Sequence, residues 1–182
     1  RLSIVALLVQ VESDSESALQ NKVVNVQNAL AGLSYSKVLE PMFTTDKAEI
    51  AAYWQMRKAI FPAVGANRPK DTTALIEDVA FPIAQLPEAL ADLQGLLSEF
   101  EYNDAVIYGH ALDGNLHFIF SQSLNSKQAV DRYQKMMEAV VALVVDKYQG
   151  SLKAEHGTGR NMAPFVAKEW GQELYQVMLD VK

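Results

Sequence analysis

Asp113-Gly114 stands between two runs, 104–110 and 115–121, in which apolar residues alternate with others. Such a dipeptide tolerates the left-handed backbone of a tight turn, and the alternation gives each flanking strand one face to bury. The pattern predicts an antiparallel hairpin, which must in turn join a sheet and find a layer to cover it. With Asp113 and Gly114 at the two turn positions, Leu112 faces Asn115, Ala111 faces Leu116 and His110 faces His117. Directly opposed residues share a face, with Cβ atoms about 4.5–5.5 Å apart. Two imidazoles that close can converge on one divalent cation.

The remaining periodicity supplies the covering layer. Residues 2–11, rich in valine, isoleucine and leucine, read as a buried strand. Ser13 and Asp14 offer N-cap chemistry for a helix over 16–33, with Val23, Val26, Ala29, Leu30 and Leu33 on its apolar face. A second strand is expected over 35–44. Asp46 then caps a helix through Tyr53, Met56 and Ile60 that Pro62 and Gly65 end. Beyond a polar loop at 65–73, a strand over 74–81 leads into a helix over 86–100 with Leu86, Leu90, Leu93, Leu97 and Phe100 on one side. Ser126 caps a long helix to about 149, a short extended piece covers 151–156, and a last helix over 164–179 starts on Pro164. Strands joined alternately by helices and hairpins predict an α+β fold, an antiparallel sheet with helices packed mainly on one face. At 182 residues the chain suits a single domain.

Composition removes several classes of function. Net charge is −6 with no lysine or arginine run, so the electrostatic footprint of nucleic-acid binding is missing. The longest apolar stretch, 4–11, is too short to be a transmembrane segment. Absence of cysteine rules out disulfides, thiolate metal sites and a cysteine nucleophile, and fits a cytoplasmic setting, with peripheral attachment at an inner membrane left open. The chain opens on Arg1 and stops at Lys182 directly after a helical segment, which reads as a piece of a longer protein.

All three histidines fall in two short motifs. One is Gly109-His110-Ala111-Leu112-Asp113-Gly114-Asn115-Leu116-His117; the other is Glu155-His156-Gly157-Thr158-Gly159-Arg160. Glu155 and His156, in an extended backbone, point opposite ways. One can then complete a set with His110 and His117 while the other meets a different partner. Two histidines and a carboxylate suit zinc or another divalent ion with one position left open. Gly157 and Gly159 let the backbone approach a flat ligand. Residue types alone are equally compatible with cross-strand histidine neighbours and ordinary turn chemistry.

Taken in order, the two motifs together with Tyr53-Trp54-Gln55-Met56-Arg57 and Glu77-Asp78-Val79-Ala80-Phe81-Pro82 give the chain a specific likeness. It resembles the C-terminal substrate or cap domain, of ferredoxin-like type, of FAD-linked oxidases in the vanillyl-alcohol-oxidase superfamily, whose members include D-lactate, glycolate and D-2-hydroxyglutarate dehydrogenases. The large bacterial D-2-hydroxyglutarate dehydrogenases with an iron–sulfur region are the most similar subgroup, which implies an iron–sulfur cluster elsewhere in a parent protein. The resemblance implies oxidation of a D-2-hydroxy acid to the 2-oxo acid, with FAD held mainly by a domain preceding residue 1. Its metal ligands match His110, His117 and Glu155, with zinc the expected ion. His156 matches the base that takes the hydroxyl proton, and Arg57 the arginine that grips the substrate carboxylate. Asn115 is expected at the substrate, and Arg160 or Lys70 are candidates for the contact made by a lysine that many members carry where this chain has Ile76. Gly157, Thr158, Gly159 and Asn161 are expected along one side of the flavin.

Two positions depart from the pattern. Ile76 stands where many members have a lysine, and Ile119 replaces a polar residue of some members. Substrate identity and the electron acceptor are therefore left open. Two other readings of the same residues stand beside this one: a non-catalytic α+β metal-binding or association domain, and a metal-dependent hydrolase in which His156 activates water.

Overall fold

Three helices begin where the sequence offers a capping side chain, because the first backbone N–H groups of a helix have no intrahelical acceptor. Ser15 Oγ accepts from Ala18 N at 3.3 Å, Asp46 Oδ1 from Ala48 N and Glu49 N at 2.9 Å, and Ser126 Oγ from Ala129 N at 3.1 Å. The computed structural model describes residues 5–34 and 38–182. Its internal contacts divide the chain into two units, Arg1–Ile60 and Phe61–Lys182.

The first unit contains α1 (Glu16–Ala31) and α2 (Lys47–Lys58), neither of which has a buried residue. Gln10 Oε1 accepts the indole N–H of Trp54 on α2 at 2.8 Å. The strands expected over 2–11 and 35–44 are not formed in the described parts of those segments. A strand needs a ladder partner, and among the described residues neither segment has one. Their side chains stay in solvent: Val5, Leu7, Leu39 and Met42 are all largely exposed. Residues 2–4 and 35–37 lie outside the described residues.

The helix α3 (Ile60–Asn67) runs through Pro62 and Gly65, which were expected to end the preceding helix. Pro62 falls in its first turn, where the missing N–H would have had no partner anyway. The second unit then forms one antiparallel sheet from β1 (Thr73–Ala80), β2 (Val106–His110) and β3 (Asn115–Gln122), in the order β1-β3-β2. The helices α4 (Leu86–Glu99) and α5 (Lys127–Val141), the latter prolonged by a π turn over Ala142–Lys147, contribute the other half of the core. Ala89, Leu93 and Leu97 from α4 and Met136, Val140 and Val144 from α5 and its extension cluster with Val79, Leu116, Phe118 and Phe120. Full burial of each large apolar side chain is worth about 1.5–3 kcal/mol. Short α6 (Gly159–Met162) and α7 (Val166–Val181) close the chain, α7 bending at Gly171. The α+β class expected from the sequence is the class found.

The hairpin register differs from the expected one by two residues. Ala111-Leu112-Asp113 form a 3₁₀ turn with Gly114 left-handed at φ 65°, so His110 pairs with Asn115 and Tyr108 with His117. A Cβ at Gly114 would run into the carbonyl oxygen of Phe81, whose own N–H donates to Gly114 O at 2.8 Å. That close approach, together with the positive φ, demands glycine. A shift of two preserves side-chain parity, whereas a shift of one would have turned every residue over. His110 and His117 therefore still share a face, diagonally rather than directly opposed.

Candidate functional site

β3 alternates, sending Leu116, Phe118 and Phe120 into the core and Asn115, His117 and Ile119 to the opposite face. The register β1–β3 sets Asp78 beside His117, and the register β2–β3 brings Tyr108 and His110 to the same side. His117 lies at the base of the site with a side chain 3% exposed. His110, Glu155 and His156 form a more open rim, each about half exposed.

Glu155 Oε1 lies 2.9 Å from His117 Nε2 and 3.3 Å from His110 Nε2. The three ligand atoms all fall within 4.8 Å of one another. For metal–ligand bonds of about 2.0–2.1 Å, two ligands of a tetrahedral ion stand about 3.3 Å apart. The donor set thus has the spacing and the chemistry for a divalent ion such as zinc, with a solvent-facing position to spare. Burial holds the His117 pKa below its ordinary value, despite the opposing effect of Asp78, and His156 and His110 push the same way. A neutral imidazole is the form that binds a metal.

His156 is not where an extended backbone would have put it. Its ring stacks on His117 with centroids 4.6 Å apart and planes 7° from parallel, and its Nε2 lies 3.9 Å from Glu155 Oε1. Both neighbours face one side because the segment 152–158 bends instead of continuing as a strand. The bend closes around one carboxylate: Asp78 Oδ2 accepts the N–H of Ala154 at 3.0 Å, of Glu155 at 2.7 Å and of His156 at 2.7 Å. Asp78 Oδ1 accepts from Asn115 Nδ2 at 2.6 Å. It also stands 3.0 Å from His117 Nδ1, but off the ring N–H direction, so that nitrogen has no formed hydrogen bond. Burial alone would raise the Asp78 carboxyl; the N–H groups of His156, Asn115, Glu155 and Ala154 outweigh it and hold the pKa below the usual value.

The same segment is fastened elsewhere. Ser151 pairs its backbone with Ala80 at 2.9 Å in both directions, on the edge of β1 that β3 does not occupy. Glu169 of α7 accepts from Ser151 Oγ at 2.7 Å and from Leu152 N at 3.0 Å. Lys153 Nζ donates to Thr158 Oγ1 at 3.2 Å and sits 5.4 Å above the Trp170 ring. Gly157 takes φ 72°, which lets the chain reverse directly after His156.

The other expected residues divide. Asn115 is buried and spends its amide N–H groups on Asp78 and on Val79 O at 3.3 Å, leaving Oδ1 without a partner. Asn161 donates to Glu77 Oε1 at 2.5 Å, so its amide group turns towards β1. Gly157, Gly159 and Arg160 are exposed and Thr158 half-buried, and no atom lies within 4 Å of a Cβ placed at either glycine. Arg57 is carried by α2 in the first unit. Sequence reasoning missed Asp78, Glu77 and Glu169. A signal existed for the first two: adjacent carboxylates inside an otherwise apolar strand are expensive to bury without partners.

The family of FAD linked oxidases, C-terminal domain, matches residues 2–182. The chain belongs to that family. Curated relatives of the domain include the mitochondrial D-2-hydroxyglutarate dehydrogenase of Rattus norvegicus, 27% identical over 97% of this chain and 32% of that protein. The D-2-hydroxyglutarate dehydrogenase of Xanthomonas citri is 28% identical over 73% of this chain and 29% of its own length. A glycolate oxidase subunit of Escherichia coli is 32% identical over 63% of this chain and 22% of its own length. The domain thus spans between about a fifth and a third of the length of these relatives. Among its described residues no helix is long and apolar enough to cross a membrane.

Proposed function

We propose that this domain is the substrate side of an FAD-linked enzyme that oxidises a D-2-hydroxy acid to the 2-oxo acid. The observation that carries the reading is the convergence of His110 Nε2 and His117 Nε2 on Glu155 Oε1, with the His156 ring stacked alongside. Family membership supports the flavin, and the names of the relatives support the substrate class. The FAD-binding domain of the same parent protein is the expected partner, and a cytoplasmic setting is part of the proposal.

His110, His117 and Glu155 would hold the divalent ion, zinc by their donor chemistry. When bound, the ion would supply positive charge at the substrate hydroxyl, and FAD would supply the two-electron acceptor for the α-hydrogen. His156 Nε2 takes the hydroxyl proton, so the C–H pair leaves as hydride and the C–O bond becomes a carbonyl. The role proposed for Arg57 rests on the family likeness alone: a guanidinium grips a carboxylate through two parallel hydrogen bonds and so fixes the α-carbon. Arg160 and the buried Asn115 Oδ1 are further substrate contacts. The open space over Gly157 and Gly159 suits the face of a flat ring, with Thr158 and Asn161 at its border.

Anaerobic stopped-flow flavin reduction, with metal analysis of the same samples of the intact protein, tests the reading. His110→Ala loses metal and flavin reduction together. His156→Asn keeps the metal, because the ligands remain, and slows reduction about 10²–10⁴-fold. Full metal content and normal rate in His110→Ala would end the coordination scheme, and a normal rate in His156→Asn would end the base assignment. A protein that takes up zinc yet never reduces flavin with any 2-hydroxy acid would instead fit an association domain or a hydrolase.

A further inference from the structure

We infer that Asp78 is the positioning residue of the metal site, holding the segment that carries Glu155 and His156 against the sheet face that carries His117. The inference rests on the metal reading given above. Three consecutive backbone N–H groups, those of Ala154, Glu155 and His156, end on Asp78 Oδ2 within 2.7–3.0 Å. Such an arrangement forces the chain to curl, and the curl is what brings neighbouring side chains 155 and 156 to the same side. The other oxygen receives the Asn115 amide at 2.6 Å and lies 3.0 Å from His117 Nδ1. One carboxylate, 4% exposed, thereby fixes the loop, the strand β3 and the neighbourhood of the buried ligand.

Asp78 could itself be counted as a ligand, since its carboxylate lies with His117 and His156 in a second group of suitable spacing. Its hydrogen bonds argue against that use. Both oxygens are already engaged by N–H donors, and binding an ion through either would leave buried donors unsatisfied. Glu155, with its side chain half exposed and its oxygen between two imidazole nitrogens, has no such conflict. The adjacent residue works from the other side of the strand. Glu77, whose side chain alternates to the core face, takes the Asn161 amide at 2.5 Å. The segment 151–161 thus passes around the free edge of β1, tied to Ala80 along the edge and to successive carboxylates on its two faces.

The test is zinc affinity of the intact protein by chelator competition, with the visible spectrum of the cobalt-substituted protein as a record of ligand geometry. Asp78→Asn keeps the size but replaces one acceptor oxygen with a donor. The expected result is a zinc affinity about 10–100-fold weaker and an altered cobalt spectrum, in a protein whose circular dichroism is that of the wild type. Wild-type affinity with an unchanged spectrum overturns the inference. Should Asp78→Asn fail to fold, Asp78→Glu takes its place: the carboxylate moves outward by one methylene, the same fall is expected, and wild-type affinity in that variant overturns the inference equally. A wild-type protein that takes up neither zinc nor cobalt removes this inference together with the metal reading. Loss confined to Asp78 variants leaves that reading intact and supports the inference.

Discussion

Glu77 is a carboxyl group kept where water cannot reach it. Desolvation raises its pKa to about 7, against the lowering effect of the Asn161 amide and with the neighbouring Asp78 charge adding to the rise. The folded protein therefore holds this proton to about pH 7, while the unfolded chain releases it near 4.5. Stability from that proton is complete below pH 4.5 and is lost as pH rises through 7. Glu77→Gln keeps an oxygen for Asn161 and abolishes the titration. Its stability relative to wild type should rise by about 1–3 kcal/mol between pH 5 and pH 8, read from urea unfolding at each pH; a gap independent of pH contradicts the buried-acid account. At this scale the site was partly legible. His110 and His117 could be read because Asp113-Gly114 fixes what lies near it, and Glu155 because it adjoins His156. The orientation of His156 could not be read, because it depends on backbone donors meeting a carboxylate far away in sequence, and no periodicity records such a contact.

At the scale of elements, local signals fared best where an element had its partner close in the chain. Asp46 and Ser126 cap the helices they were expected to cap, and the strands of the hairpin fall within a residue or two of their expected ends. The turn was misread by two residues because Ala111-Leu112-Asp113 coil into a 3₁₀ turn, which Asp-Gly chemistry permits as readily as a two-residue loop. Gly114 anchors that turn. Gly114→Ala, with φ at 65° and a Cβ against Phe81 O, should cost about 1–3 kcal/mol, seen as a lower urea midpoint with unchanged slope. The helix layer makes a parallel prediction: Leu93→Ala, at a fully buried position of α4, should cost about 2–5 kcal/mol. Equal stability in either variant would mean that the turn or the core is packed otherwise. Segments 2–11 and 35–44 failed as strands for the opposite reason, since apolar alternation states a readiness to pair and says nothing about whether a partner is there.

Across the whole molecule, the α+β class was legible from the rhythm of strands and helices, whereas the division into two units was not. Their boundary at Ile60 falls at the start of α3, whose Pro62 and Gly65 read as the end of a helix and the start of a loop rather than as a division between units. A strand at the margin of a sheet offers unpaired N–H and C=O groups to any other strand that drifts past. Here the margin at Ala80 is stopped by Ser151, the first residue of the segment that delivers Glu155 and His156. Covering the end of that margin and presenting Glu155 and His156 are thus entrusted to one stretch of backbone. Whatever peels that stretch away frees the N–H and C=O of Ala80 at the same moment as it parts Glu155 and His156 from His117. An ion that clips the stretch to His110 and His117 should therefore hold that pairing closed as well, read as slower amide hydrogen exchange at Ala80 and Ser151 once zinc is added.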